Sequence, residues 1–111
     1  MLYADGVNAV ARPLAERDFQ RQVIALARLL GWKVYHPHLS KWSERGWPDL
    51  AMVKPPRLIL AELKRDGAKA TDAQAEWLAL LGACPGVEAY LWRPEDWDAL
   101  QAVLEGRHGR T

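Results

Sequence analysis

Apolar residues change their period several times along this chain, and each change marks a new element. In LAERDFQRQVIALARLLGWKVYHP, Phe19, Val23, Ala27 and Leu30 recur at helical spacing with Leu26 beside them, while Arg17, Arg21 and Arg28 fall on the other side. The spacing predicts an amphipathic helix stopped by Gly31. WKVYHP then reads as a short strand ended by Pro37, and PHLSKWSERGWP (37–48) has turn residues but no period, as in a loop. DLAMV and RLILAEL, on either side of Pro55-Pro56, are continuous apolar runs that fit strands covered on both faces. TDAQAEWLALL opens with Thr71 and Gln74 at capping-box spacing and predicts a helix that stops near Gly82. VEAYLW alternates like a strand. RPEDWDALQAVL puts Pro94 at a first helical position, acids in the first turn and Trp97, Leu100 and Leu104 in an apolar stripe. The order is helix, three strands, helix, strand, helix, which predicts a small α/β domain with a mixed sheet.

The 111 residues suit one compact domain, and the hydrophobic share of 50% against 26% charged predicts folding rather than disorder. Residues 1–13 have no sustained period and read as an N-terminal arm, 14–105 as the domain, and 106–111 as a C-terminal tail. No run is apolar for long enough to predict a membrane helix. The start MLYADGVNAVARP lacks the basic and apolar regions of a signal peptide. The one cysteine, Cys84, leaves no internal disulfide, which fits a reducing cytoplasm. A net charge of +1 neither announces nor excludes a nucleic-acid partner, because local distribution matters more than the total. Most of the six tryptophans are expected in the core or at an interface.

The candidate chemistry lies in three charges at the ends of apolar runs. If the turn of an antiparallel hairpin is centred between Pro55 and Pro56, Asp49 falls opposite Glu62. Directly opposed residues share a face, with Cβ atoms about 4.5–5.5 Å apart. Lys64, two residues beyond Glu62, shares that face too. Proline cannot make the tight primed turns, so a wider symmetric loop is expected. Facing carboxylates repel, and a hard cation such as Mg²⁺ would offset this while leaving positions for water and phosphate. Lys64 could then contact a phosphate or an attacking water. The plainer alternative is a structural ion pair of Lys64 with Glu62 or Asp49. Glu16 lies in line with Val23, Ala27 and Leu30 and is expected to point toward the sheet. The helix dipole explains an acid in the first turn but not its face.

GWPDL, a short spacer, AELK and then TDAQAEWL together resemble the VRR-NUC domain of the PD-(D/E)XK nuclease superfamily. Pro48-Asp49 is similar to the PD and Glu62-Leu63-Lys64 to the (D/E)XK, with an RG pair ahead of them and a TxxQ helix start behind. The resemblance runs from about Glu16 to the last helix. It implies a restriction-endonuclease-like fold: a core helix, a three-stranded antiparallel meander, a second helix and a further strand. It implies a metal-dependent DNA endonuclease in which Asp49, Glu62 and the Leu63 backbone carbonyl hold Mg²⁺ or Mn²⁺, with Glu16 completing the shell directly or through water. Lys64 would orient or activate the attacking water, and Gln74 would orient Lys64 or the phosphate. Gln74 as a plain capping residue remains open beside that role, and both can hold together. Standalone domains of this size resemble phage-type nucleases that pair as homodimers. By the same resemblance the substrate would be branched or structured DNA such as Holliday junctions or flaps, and the setting a bacterial or phage-infected cytoplasm.

The loop before the motif mixes His36, His38, Lys41, Trp42, Arg45 and Trp47, a set that suits phosphates and unpaired bases. Lys41 and Arg45, with Lys69 after the motif, are the candidate nucleic-acid contacts. Loop tryptophans also pack under their loops or fill subunit contacts, and the two histidines lack nearby cysteines for a zinc site. Two other classes remain: a non-catalytic DNA-binding module, and an accessory subunit that docks a larger DNA-processing protein.

Overall fold

The computed structural model describes residues 14–37 and 44–107. The expected arm (1–13), the last four residues of the expected tail, and His38, Lys41 and Trp42 lie outside the described residues.

The elements follow the predicted order: α1 (Glu16–Leu29), β1 (Lys33–Tyr35), β2 (Leu50–Lys54), β3 (Arg57–Leu63), α2 (Asp72–Gly82), β4 (Val87–Trp92) and α3 (Trp97–Glu105). The sheet order is β1-β2-β3-β4. The first three strands form an antiparallel meander, and β4 joins parallel to β3. Mixed pairing follows from connectivity: a tight turn joins β2 to its antiparallel neighbour β3, while the α2 crossover returns the chain in the same direction to β4.

One face of the sheet carries the core. Leu50 and Met52 of β2, Ile59, Ala61 and Leu63 of β3, and Trp92 of β4 pack with Phe19, Val23 and Ala27 of α1 and with Leu100, Val103 and Leu104 of α3. These α1 residues are the predicted stripe, whereas Leu26 and Leu30 pack only at its margin. Trp32 is buried and donates its indole N–H to the Leu104 carbonyl at 3.0 Å. Arg57 makes two hydrogen bonds to Glu88, a third to the Val103 carbonyl, and lies over the Trp32 ring. Together these contacts fasten α3 to the turn end of the hairpin. The sheet's other face receives α2 over β3 and β4. Every residue of α2 keeps some solvent exposure.

Three local expectations need correction. The hairpin loop is tight, not wide: it contains only Pro55 and Pro56, joined by a cis peptide bond, with Lys54 paired to Arg57. A cis proline at the third position defines a turn that does not need the positive φ of primed turns. Coverage on both faces holds for β3, where Ile59 to Leu63 are all buried, but β2 alternates and leaves Val53 41% exposed. The difference is position, because α2 packs over β3 and β4. Pro94 opens a 3₁₀ turn (Pro94–Asp96), and α3 proper starts at Trp97.

Candidate active site

The ladder places the site. Leu50 pairs with Ala61, Met52 with Ile59 and Lys54 with Arg57, which is the register predicted around the proline pair. Carried one step beyond the last pair, it sets Asp49 against Glu62. The Lys64 N–H donates to the Trp92 carbonyl at 3.0 Å, so the extended backbone continues past β3. Asp49, Glu62 and Lys64 therefore meet at one end of the sheet, on the face that α2 covers.

Glu62 is the one buried charged side chain among the described residues, at 2% exposure. Its Oε2 accepts the Gln74 side-chain amide at 2.8 Å, and the Lys64 ammonium stands 3.9 Å from the same oxygen. That second distance is an ion pair, not a hydrogen bond. Glu62 Oε1 is buried and receives no N–H or O–H donor, a costly state for an ionised carboxylate oxygen. Asp49 accepts the Leu63 backbone N–H on Oδ2 at 2.9 Å and lies within proton-sharing reach of Glu62.

Burial, and next the neighbouring Asp49 charge, push Glu62 up to about 8. Burial also raises Asp49, against the opposing effect of the Leu63 N–H. The pair titrates as a unit. Without a cation it keeps one proton near neutral pH, held on Glu62 because Asp49 has the backbone donor that favours its ionised form. An ionised pair needs something positive at the orphaned Oε1.

Gln74 does two things. Its side-chain oxygen accepts the Thr71 N–H at 2.8 Å and the Thr71 hydroxyl accepts the Gln74 N–H at 3.1 Å, which completes the capping box. Its amide nitrogen donates to Glu62, on the same oxygen that the Lys64 ammonium faces.

Glu16 stays solvent-exposed, although its carboxylate is turned toward the end of β3. The first buried residue of α1 is Phe19, so Glu16 lies at the open end of the helix's apolar stripe. Glu16 still reaches the site's margin, where it accepts the Arg65 N–H at 3.3 Å and its charge is felt at both Asp49 and Glu62. Arg45 and Lys69 are exposed on the loops that flank the site. Trp47 packs edge-to-face on Trp77 with ring centroids 4.9 Å apart, so it supports its loop. An open cavity of about 190 Å³ adjoins Asp49, lined also by His36, Arg45, Trp47 and Gln74.

Sequence reasoning missed Trp77, which looked like one more residue of an apolar helix. It also missed the Leu63 N–H as a donor to Asp49, because backbone donors leave no mark in a sequence. Among the described residues, no group of three or more His, Cys, Asp or Glu side chains gathers as a ready metal cage. The carboxylate pair and its orphaned oxygen would instead need a backbone carbonyl and water to complete a shell, which suits a hard cation that keeps several waters.

No family model matches the sequence. No curated protein matches it either. Among solved structures the chain is similar to one described as a VRR_NUC domain protein, with 24% identity over 84% of this chain and 92% of that chain, at a TM-score of 0.65. The two chains share their fold over nearly their whole lengths, and that fold is the restriction-endonuclease-like arrangement of a helix, an antiparallel meander, a helix, a strand and a helix.

Proposed function

We propose that this protein is a metal-dependent DNA endonuclease that hydrolyses phosphodiester bonds. One observation carries the reading: two facing carboxylates, one of them buried with an unpartnered oxygen, stand beside a lysine at the end of a β-hairpin. A structural ion pair explains this less well. It would bring Lys64 into hydrogen-bond contact and leave no carboxylate oxygen orphaned. The shared fold and the PD…ELK spacing support the same conclusion.

In this reading Asp49, Glu62 and the Leu63 carbonyl hold Mg²⁺ or Mn²⁺, with Glu16 at the edge of the shell. The ion supplies Lewis-acid stabilisation of the phosphate and lowers the cost of ionising a water. The protein does the rest. Gln74 fixes the Glu62 carboxylate in one orientation. The Leu63 N–H fixes Asp49. Lys64, held at 14% side-chain exposure, orients or helps activate the attacking water and stabilises negative charge on the scissile phosphate. Arg45, Lys69 and Lys41 hold the DNA backbone around the site. Pairing as a homodimer and preference for branched or flap DNA belong to the same proposal, supported by the resemblance of the motif. A two-fold pair of sites would address two strands of a junction.

The test is cleavage of linear duplex, single-stranded, flap and four-way-junction DNA by the purified protein, with Mg²⁺ or Mn²⁺ and with chelator, beside Lys64→Ala. Metal-dependent cutting that Lys64→Ala loses supports the nuclease. Binding with no cutting on any substrate by folded protein would replace it with the DNA-binding module. Absence of DNA binding would point to the accessory subunit.

A further inference from the structure

Asp49 lies outside the ladder that fixes the rest of its strand. The last β2–β3 pair is Leu50 with Ala61. The segment leading into Asp49, residues 44–48, has no regular structure apart from a turn. The Leu63 N–H holds the Asp49 side chain and Pro48 beside it is fully buried, but the backbone ahead of them needs a further constraint, since misplacement by a fraction of an ångström is enough to spoil a site.

That constraint comes from α2. The Trp77 indole N–H donates to the Arg45 carbonyl at 3.0 Å. The Trp77 ring receives Trp47 edge-to-face at 4.9 Å. Between these two points Gly46, with φ +85, comes so close to the helix that a Cβ there would lie 2.6 Å from the Ala73 carbonyl carbon and 2.7 Å from its oxygen. Only glycine fits both the conformation and the space. Ala73 and Trp77 are a helical turn apart and so share a face, and Gln74 beside them holds Glu62. The first half of one helix therefore grips both the segment that carries Asp49 and the strand residue Glu62.

We propose that Trp77 is a positioning residue for the carboxylate pair, with Gly46 as the fitted seat of the same clamp. The proposal rests on the nuclease reading. A role in core stability accounts poorly for Trp77, because α2 contributes no buried residue and Trp77 stands outside the hydrophobic core cluster. Its indole N–H is spent on a single backbone carbonyl just ahead of the metal ligand. The clamp acts on the distance between Asp49 and Glu62, and so on how well they share one ion.

Trp77→Phe keeps an aromatic ring for Trp47 while removing the donor and the second ring of the indole. The experiment is Mn²⁺ binding to the DNA-free protein, followed by electron paramagnetic resonance, for wild type, Trp77→Phe and Gly46→Ala, with cleavage measured across Mn²⁺ concentrations. The expected result is affinity weakened roughly tenfold in Trp77→Phe, the scale of lost outer-shell support, with cleavage recovered at saturating Mn²⁺. Gly46→Ala should shift in the same direction and further, so a folding failure in one variant leaves the other to decide. Unchanged Mn²⁺ affinity with a lowered melting temperature would overturn the positioning role while leaving the nuclease intact. A wild type that takes up no Mn²⁺ would overturn the nuclease reading itself, and the clamp with it.

Discussion

Gln74 donates its side-chain amide to Glu62 over 2.8 Å, and the oxygen of the same amide closes the capping box on Thr71. One side chain thus belongs both to the start of a helix and to a buried carboxylate. Gln74→Ala leaves the Thr71 hydroxyl bonded to the backbone N–H of residue 74 but loses the reciprocal bond to the Thr71 N–H. That loss should cost about 1 kcal/mol of stability, and the substitution should also slow cleavage. Gln74→Glu keeps an acceptor for the Thr71 N–H but turns a carboxylate on Glu62. It should preserve more of the helix while impairing cleavage at least as much. Urea denaturation and cleavage rates on both variants separate the two roles, and full activity in Gln74→Ala would remove Gln74 from the site.

Asp49 and Glu62 should oppose folding and serve chemistry at once. Glu62→Gln replaces an orphaned carboxylate oxygen with a neutral amide. In chelator at mildly alkaline pH this variant should be more stable than wild type, on the order of 1 kcal/mol, while losing more than about a hundredfold in cleavage. Asp49→Asn should lose cleavage similarly and stay folded. Melting curves in chelator beside cleavage rates test both. A less stable Glu62→Gln protein would show that the carboxylate is structural.

The pH dependence follows from the raised Glu62. Its value rises from the ordinary 4.5 to about 8 on folding, chiefly through burial. The folded protein therefore binds this proton more tightly than the unfolded chain does. The contribution to stability is fully present below the unfolded value and is lost as pH rises through the folded one. In chelator, wild type should lose stability relative to Glu62→Gln between about pH 4.5 and 8. Mg²⁺ should oppose that loss by neutralising the ionised pair. Denaturant titrations across this window, with and without Mg²⁺, provide the check.

Arg45 and Lys69 are exposed and their side chains take no part in the hydrogen bonds or the ion pair of the two carboxylates, so their effect should be on DNA binding. Arg45→Ala and Lys69→Ala should each weaken binding and reduce the salt slope of log K by about 1. Cleavage at saturating DNA should stay near wild type. Affinity measured over a range of salt concentrations distinguishes this from a loss of chemistry.

Much of this was legible because apolar patterning and turn chemistry agree. The order of elements, the span of β4 from Val87 to Trp92 and the Thr71–Gln74 box follow from period and capping residues alone. So does the Asp49–Glu62 register, since a symmetric loop at Pro55-Pro56 fixes it whatever the turn. What could not be read depends on tertiary context. The exposed face of β2 at Val53 reflects where α2 lies, which the apolar run cannot reveal. Glu16 sits on the apolar side of its wheel yet stays exposed, because helical period says nothing about where the packing begins. The Leu63 N–H donated to Asp49 and the grip of Trp77 on the Arg45 carbonyl use backbone groups that every residue carries.

The most direct measurement is the count of protons released when Mg²⁺ is added to the metal-free protein in weak buffer near neutral pH. A cation seated between Asp49 and Glu62 must displace the proton that the pair holds, so close to one proton should leave per ion bound, and the release should vanish in Glu62→Gln. Mg²⁺ binding without proton release, or equal release from Glu62→Gln, would place the ion elsewhere and contradict the carboxylate pair as its site.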